Sequence, residues 1–223
     1  MQLRSGEPTQ LGERRYRPLL LAGVQLVELI DSSPGAVAIN RQLRAELATS
    51  AAGDGALRDK VRSAVRSLGS VALDRISARV IEWSDQWLTL ELNREFSGEG
   101  AAGADNGYRS WDMRSGREVD PWTWFDLKSR ESLEEPLVVA RIAKMPDALK
   151  NAVLQAATNV KACQDVYRGP LFTRIWAHTM GIEFTIGDTR NPECLQSVNL
   201  PFATVRPLMT PKGREDSRRI FGS

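Results

Sequence analysis

The sequence predicts an α+β protein: an antiparallel sheet meander with helices packed mainly on one face. Three observations carry that expectation. Two runs, Ile76–Ser84 and Trp87–Phe96, alternate apolar and polar residues with period two. The stretches around 34–49, 56–68 and 147–168 instead repeat their apolar residues at helical spacing. Strand-like and helical segments come in blocks, in the order strands, helices, a meander of strands, helices, strands, which is an α+β arrangement.

In chain order, the polar start MQLRSGEPTQLGERR is expected to be a flexible segment over 1–15. The apolar run YRPLLLAGVQLVELI predicts one or two strands. It carries Gln25 and Glu28 and falls short of the ~18 apolar residues of a membrane helix, so no transmembrane segment is expected. It also lacks a small-residue cleavage pattern. A helix then starts at Pro34, with Ser33 as N-cap and Ala36, Ile39, Leu43 and Leu47 on one face. A second helix is expected over the run holding Leu57, Val61, Val65 and Leu68, and its basic face is read as solvated. These parts make a strand-helix subdomain over 16–70.

The sheet-rich subdomain, 71–213, is expected to pack with it as one unit. SDQ joins the two alternating runs as a hairpin, with Ile76, Ala78 and Val80 on one face and Ile81 and Trp83 on the other. SGEGAAGADNG reads as a Gly-rich loop, 98–107. In SWDMRSGREVDPWTWF, a strand turns at RSG and returns at REV. Asp120 then caps a helical turn begun by Pro121, pinned by Trp122, Trp124 and Phe125. SRESLEEPLVVARIAKM suggests a helix broken near Pro136, and the next helix begins at Asp147 as its cap and ends at Gly169. TRIWAHTMGIEFTIG reads as strand, tight turn, strand. DTRNPECLQ reads as a loop, SVNLPFATV as a strand limited by Pro201, and 214–223 as a solvated tail.

Composition narrows the chemistry. The 223 residues carry a net charge of +2, with basic and acidic residues intermixed, so no nucleic-acid footprint is expected. One histidine, His178, and two cysteines, Cys163 and Cys194, cannot furnish a zinc site, and no phosphate-binding glycine motif is present, so no metal or cofactor is expected. The cysteine count alone leaves a bridge and two thiols both open. For hydrolysis, Asp112, Glu118, Asp120 and Asp126 form an acidic cluster in which a carboxylate pair is conceivable. Asp112 and Asp120 also have turn and cap readings. A nucleophile triad would need His178, which sits in a strand without a GxSxG motif and reads as satisfied by a backbone partner.

The run Ile76 to Phe125, with SDQWLTLELNREF and YRSWDMRSGREVDPWTWF, and the later GIEFTIGDTRNPECLQSVNLPFATVRPLMTPKG resemble the extracytoplasmic domain shared by RsiV-like anti-sigma factors and PdaC-like peptidoglycan deacetylases. The likeness spans about residues 16 to 213. It departs at SGEGAAGADNG, where family members often carry a Gly-Gly-Ala-His signature and this chain has no histidine. The resemblance implies a periplasmic or extracellular location, a Cys163–Cys194 disulfide and a binding role toward a lysozyme-like protein or peptidoglycan. On that reading the candidate ligand-binding residues are Trp87, Tyr108, Trp111 and Trp122, with Trp87 and Trp122 expected to be exposed. The two loops 98–107 and 187–195 are the expected docking elements for a protein partner. The alternatives are a cell-wall glycan hydrolase using a carboxylate pair and a structural assembly module.

Overall fold

The computed structural model describes residues 3–21, 24–51, 71–98, 101–126, 128–129, 141–158, 160–168, 172–188 and 191–222. The helix expected around Leu57–Leu68 lies outside them. The described residues divide into two compact units, those up to Glu118 and those from Val119 on. The α+β class holds in both, but each unit builds its own sheet.

The first unit contains β1 (Arg4–Ser5), β2 (Thr9–Leu11), β3 (Arg14–Leu21), β4 (Val24–Leu29), α1 (Pro34–Ala51), β5 (Val71–Trp83), β6 (Trp87–Gly98), β7 (Ala101–Asp112) and β8 (Arg117–Val119). The sheet order is β1-β3-β4-β5-β6-β7-β8, with β2 also paired to β3. The paired registers are antiparallel except between β4 and β5, where Val24 lies beside Ile76 in parallel. The chain from 30 to 70, which begins with α1, separates these two strands, as a parallel crossover requires. The expected boundary at 70/71 therefore cuts through one sheet. The expectation of a flexible start is also corrected: Arg4 pairs with Leu20, and Thr9 with Tyr16. Strand pairing uses backbone groups, and an edge strand can be polar on both faces.

Helix α1 matches the sequence expectation closely. Ser33 Oγ accepts from the Ala36 N–H at 3.4 Å, and Ala36, Ile39, Leu43 and Leu47 are fully buried. One strand face carries Ile76, Ala78, Val80, Leu88, Leu90 and Leu92, all buried. Trp83 departs from its expected face. A register shift between Val80 and Glu82 brings it opposite Leu88, on the same side as Val80. The bulge inserts one residue, and with a side-chain period of two that reverses the face of the residues beyond it.

The expected loop 98–107 is corrected as well: β6 and β7 stay paired out to Gly98 and Ala101. Strand preference depends strongly on cross-strand context, and here a regular partner carries a glycine- and alanine-rich sequence that reads locally as a loop.

The second unit opens with a 3-10 turn (Pro121–Trp124) and continues through β9 (Lys128–Ser129), β10 (Arg141–Lys144), α2 (Asp147–Ala156), α3 (Gln164–Arg168), β11 (Phe172–His178), β12 (Gly181–Asp188), β13 (Asn191–Pro201), α4 (Phe202–Val205), a 3-10 turn (Arg206–Leu208) and α5 (Pro211–Phe221). Its sheet order is β13-β12-β11-β10-β9, antiparallel throughout. Several expectations change here: Asp147 opens α2 without capping it, Pro146 holding the cap position, and Phe202–Val205, read as strand, is helix α4. Residues 141–144, placed in a helix, are strand β10; the rest of that expected helix lies outside the described residues. The long helix breaks after Ala156, where Ala157 turns extended. Thr158 there gives its N–H and hydroxyl to Gln196 Oε1 at 2.9 and 2.8 Å, an alternative to helical bonding that Thr and Asn favour. The expected loop around Cys194 belongs to strand β13. Residues 214–221, read as a tail, lie in α5, capped by Thr210 and seated through Gly213, Ser217 and Ile220.

The core of this unit gathers Phe184, Ile182, Ile186, Ala177, Val153 and Val205, each essentially inaccessible. Phe125 meets Phe184 edge-on at 5.6 Å. Cys163 and Cys194 are bonded, tying the segment after α2 to β13.

Candidate functional site

The acidic cluster takes on backbone work. Asp112 is 1% exposed; its Oδ1 accepts from the Arg114 N–H at 3.0 Å and its Oδ2 from the Ser115 hydroxyl at 2.9 Å, closing the turn into β8. That turn lies on the start of α1: a Cβ on Gly35 would stand 1.6 Å from the Met113 carbonyl oxygen. Gly116 supplies the left-handed residue at φ 65°. Asp120 Oδ1 accepts from the Trp122 N–H at 3.0 Å, the expected cap.

Glu118 belongs to an ion-pair network. Arg109 donates through Nε and Nη2 to Glu118, both at 2.7 Å, and through Nη1 and Nη2 to Glu46 on α1 at 2.6 and 2.9 Å. Its guanidinium lies 4.9 Å above the Trp111 ring. Trp111 Nε1 in turn donates to Gln42 Oε1 at 3.1 Å, while Gln42 Nε2 reaches both Glu46 and Glu118. Burial pushes Glu46 toward neutrality, but the Arg109 hydrogen bonds and charge outweigh it and hold its carboxyl below the ordinary glutamate range. Burial likewise opposes the charge of Arg109, yet the two carboxylates raise its pKa above the normal range. This network joins helix to sheet inside the first unit.

The tryptophan expectations are corrected. Trp87 and Trp111 are 0% exposed and Trp122 is 9% exposed, so none offers a ring face to a sugar. Trp87 sits at a hairpin end, where Ser84 Oγ accepts its N–H at 3.1 Å, yet its side chain is wholly buried. Trp122 is drawn in with the capped 3-10 turn that holds it. Tyr108 is half-buried and lies opposite Glu91, which pairs with Arg79.

The half-exposed tryptophan is Trp176. In β11, Ile175 and Ala177 point into the core, leaving Arg174, Trp176 and His178 on the other face. Pairing sets Trp176 beside Glu183 and Glu183 beside Asn199; His178 stands opposite Gly181. The Trp176 and His178 rings lie 5.0 Å apart, tilted by 40°. The Met180 N–H donates to His178 Nδ1 at 3.2 Å, which places the proton on Nε2, 3.1 Å from Asn199 Oδ1. Both imidazole nitrogens are thereby engaged, with a backbone partner as expected. The signal for this face was present in RIWAH: strict alternation assigns Trp176 and His178 to the side opposite Ile175 and Ala177.

Among the described residues, no group of three or more His, Cys, Asp or Glu side chains is placed to hold a metal ion, and no helix is long and apolar enough to cross a membrane.

No family model and no curated protein matches the chain. Among solved structures, it is similar to a DUF3298 family protein from Pseudomonas aeruginosa PAO1, at 13% identity over 95% of this chain and 94% of that one, with a TM-score of 0.47. It is also similar to a member of the DUF3298 family from Bacteroides fragilis NCTC 9343, at 10% identity over 93% of this chain and 94% of the other, with a TM-score of 0.49. A likeness at this level decides nothing about activity.

Proposed function

We propose that this chain is an exported, non-enzymatic binding domain that recognises a cell-wall glycan or a lysozyme-like protein. The observation that carries the reading is that three of the four carboxylates of the acidic cluster, all but the exposed Asp126, and the single histidine are already engaged. Asp112 closes a turn, Asp120 caps one, Glu118 pairs with Arg109, and His178 is bonded at both nitrogens. The Cys163–Cys194 bridge supports export, because oxidising compartments preserve such bonds. The sequence resemblance to RsiV-like and PdaC-like extracytoplasmic domains points the same way.

The test is co-sedimentation of the purified protein with insoluble peptidoglycan and pull-down on immobilised lysozyme, run beside an assay for released reducing ends. Binding to either without release supports the reading. Release of reducing ends that is abolished in Asp112→Asn, with the melting temperature retained, overturns it in favour of a hydrolase. Two reactive thiols in denatured protein taken from cells under non-reducing conditions overturn the exported location.

A further inference from the structure

Thr179 and Met180 form the two-residue turn that joins β11 to β12, closed by the pairing of His178 with Gly181. Such turns favour Gly, Asn and Asp, which supply backbone freedom or a local hydrogen bond, and a methionine side chain supplies neither. The Met180 backbone serves the turn, because its N–H donates to His178 Nδ1 at 3.2 Å. The side chain stands in solvent. Met180 is 72% exposed, whereas Met113, Met145 and Met209 are 5%, 4% and 3% exposed; Met1 lies outside the described residues. An apolar side chain held in water at a hairpin tip forgoes the gain that burial brings its three counterparts.

What the side chain keeps there is its chemistry. A thioether sulfur is soft and polarisable, and it accepts an oxygen atom from a two-electron oxidant. No thiol competes for that oxidant, since both cysteines of the chain are joined in the Cys163–Cys194 bond. In the step, a sulfur lone pair attacks one oxygen of hydrogen peroxide. The sulfur–oxygen bond forms, the O–O bond breaks, and the proton of the transferred oxygen leaves with the departing hydroxide as water. Sulfur loses two electrons and the peroxide gains them. The product is polar, so it would disrupt a core, but at this tip it replaces apolar surface in water and removes no packing. The return step needs a dithiol: its two sulfurs become a disulfide and the sulfoxide oxygen leaves as water.

We propose that Met180 is a reversible oxidation site, taking one oxygen atom from a hydroperoxide and releasing it as water through dithiol-dependent sulfoxide reductases. The site stands whether or not the chain binds a glycan or a protein. The experiment treats the full chain with hydrogen peroxide at neutral pH and follows each methionine by peptide mass mapping. Expected is oxygen uptake at Met180 close to its rate in the urea-unfolded chain, with Met113, Met145 and Met209 at least about tenfold slower, because they react only through local opening. Protein oxidised at Met180 alone should keep the parent's melting temperature, as should Met180→Gln, a polar stand-in for the sulfoxide. Sulfoxide reductases of both epimer specificities, supplied with dithiothreitol, should restore the parent mass. Uptake at Met180 no faster than at the three buried methionines overturns the proposal. So does a lowered melting temperature in protein oxidised at Met180 alone or in Met180→Gln, or a Met180 sulfoxide that both reductases leave in place.

Discussion

Arg109→Met is the most informative perturbation of the first unit. Arg109 is 11% exposed at its side chain and makes four hydrogen bonds to two carboxylates that are each 37% exposed. Removing one partner of a fully buried ion pair costs ~3–5 kcal/mol, because the other charge is stranded. Here Glu46 and Glu118 can rehydrate in part, so the cost drops to about 2–3 kcal/mol. For a chain of this size that corresponds to a fall of roughly 5–10 °C in melting temperature. The assay is thermal unfolding monitored by near-UV circular dichroism, since the guanidinium stacks on Trp111 and the indole reports this region. The pH dependence supplies the sharper check. In the parent, Glu46 sits below its ordinary value, so its contribution is complete at neutral pH and is lost as pH falls through that lowered value. Without Arg109, burial disfavours the Glu46 charge with the Gln42 hydrogen bond left to oppose it, so the variant's deficit is largest at neutral pH and narrows in acid. A deficit equal at neutral and acid pH, or no fall in melting temperature, would refute the reasoning.

The second unit supplies three further expected outcomes. Gly213→Ala puts a Cβ 2.4 Å from the Trp124 carbonyl oxygen and should lower stability by about 2–3 kcal/mol by overpacking, seen as a lower urea midpoint. Replacing both Cys163 and Cys194 by serine opens a loop of sequence separation 31. The chain-entropy model gives ~3–4 kcal/mol for that loss, measurable by denaturant unfolding, and a double variant as stable as the parent would contradict it. Asp120→Ala removes the cap bond to Trp122 and should cost about 1 kcal/mol. Asp120→Asn, which keeps an acceptor, should recover most of it.

Parts of the fold were legible because the signal was local. Ser33-Pro34 with Ala36, Ile39, Leu43 and Leu47 after it marks a helix start and its buried face within a few turns of chain. Leu88, Leu90 and Leu92 mark a strand with one buried face, and Asp120-Pro121 marks a capped turn. Other parts left little local trace. Helix α5 buries Gly213 and Ser217 along with Ile220, so it docks by close backbone approach and shows almost no apolar periodicity. The β6–β7 hairpin runs through glycine and alanine that propensity alone assigns to a loop.

The candidate site divides the same way. Period-two alternation in Arg174–His178 places Trp176 and His178 opposite Ile175 and Ala177, and the sequence alone determines that. Which tryptophans stay accessible was decided elsewhere. Trp87 is enclosed at its hairpin end, and Trp111 is held by Gln42, 69 residues away along the chain. Pairing Trp176 with Glu183, and Glu183 with Asn199, depends on strand register, and register is a property of three strands together. Residue type and spacing thus determined helix α1, the start of α2, most strands and the turn chemistry. Burial, the division into two sheets and the grouping of the outward side chains came only with tertiary structure, because they depend on which distant backbone groups meet.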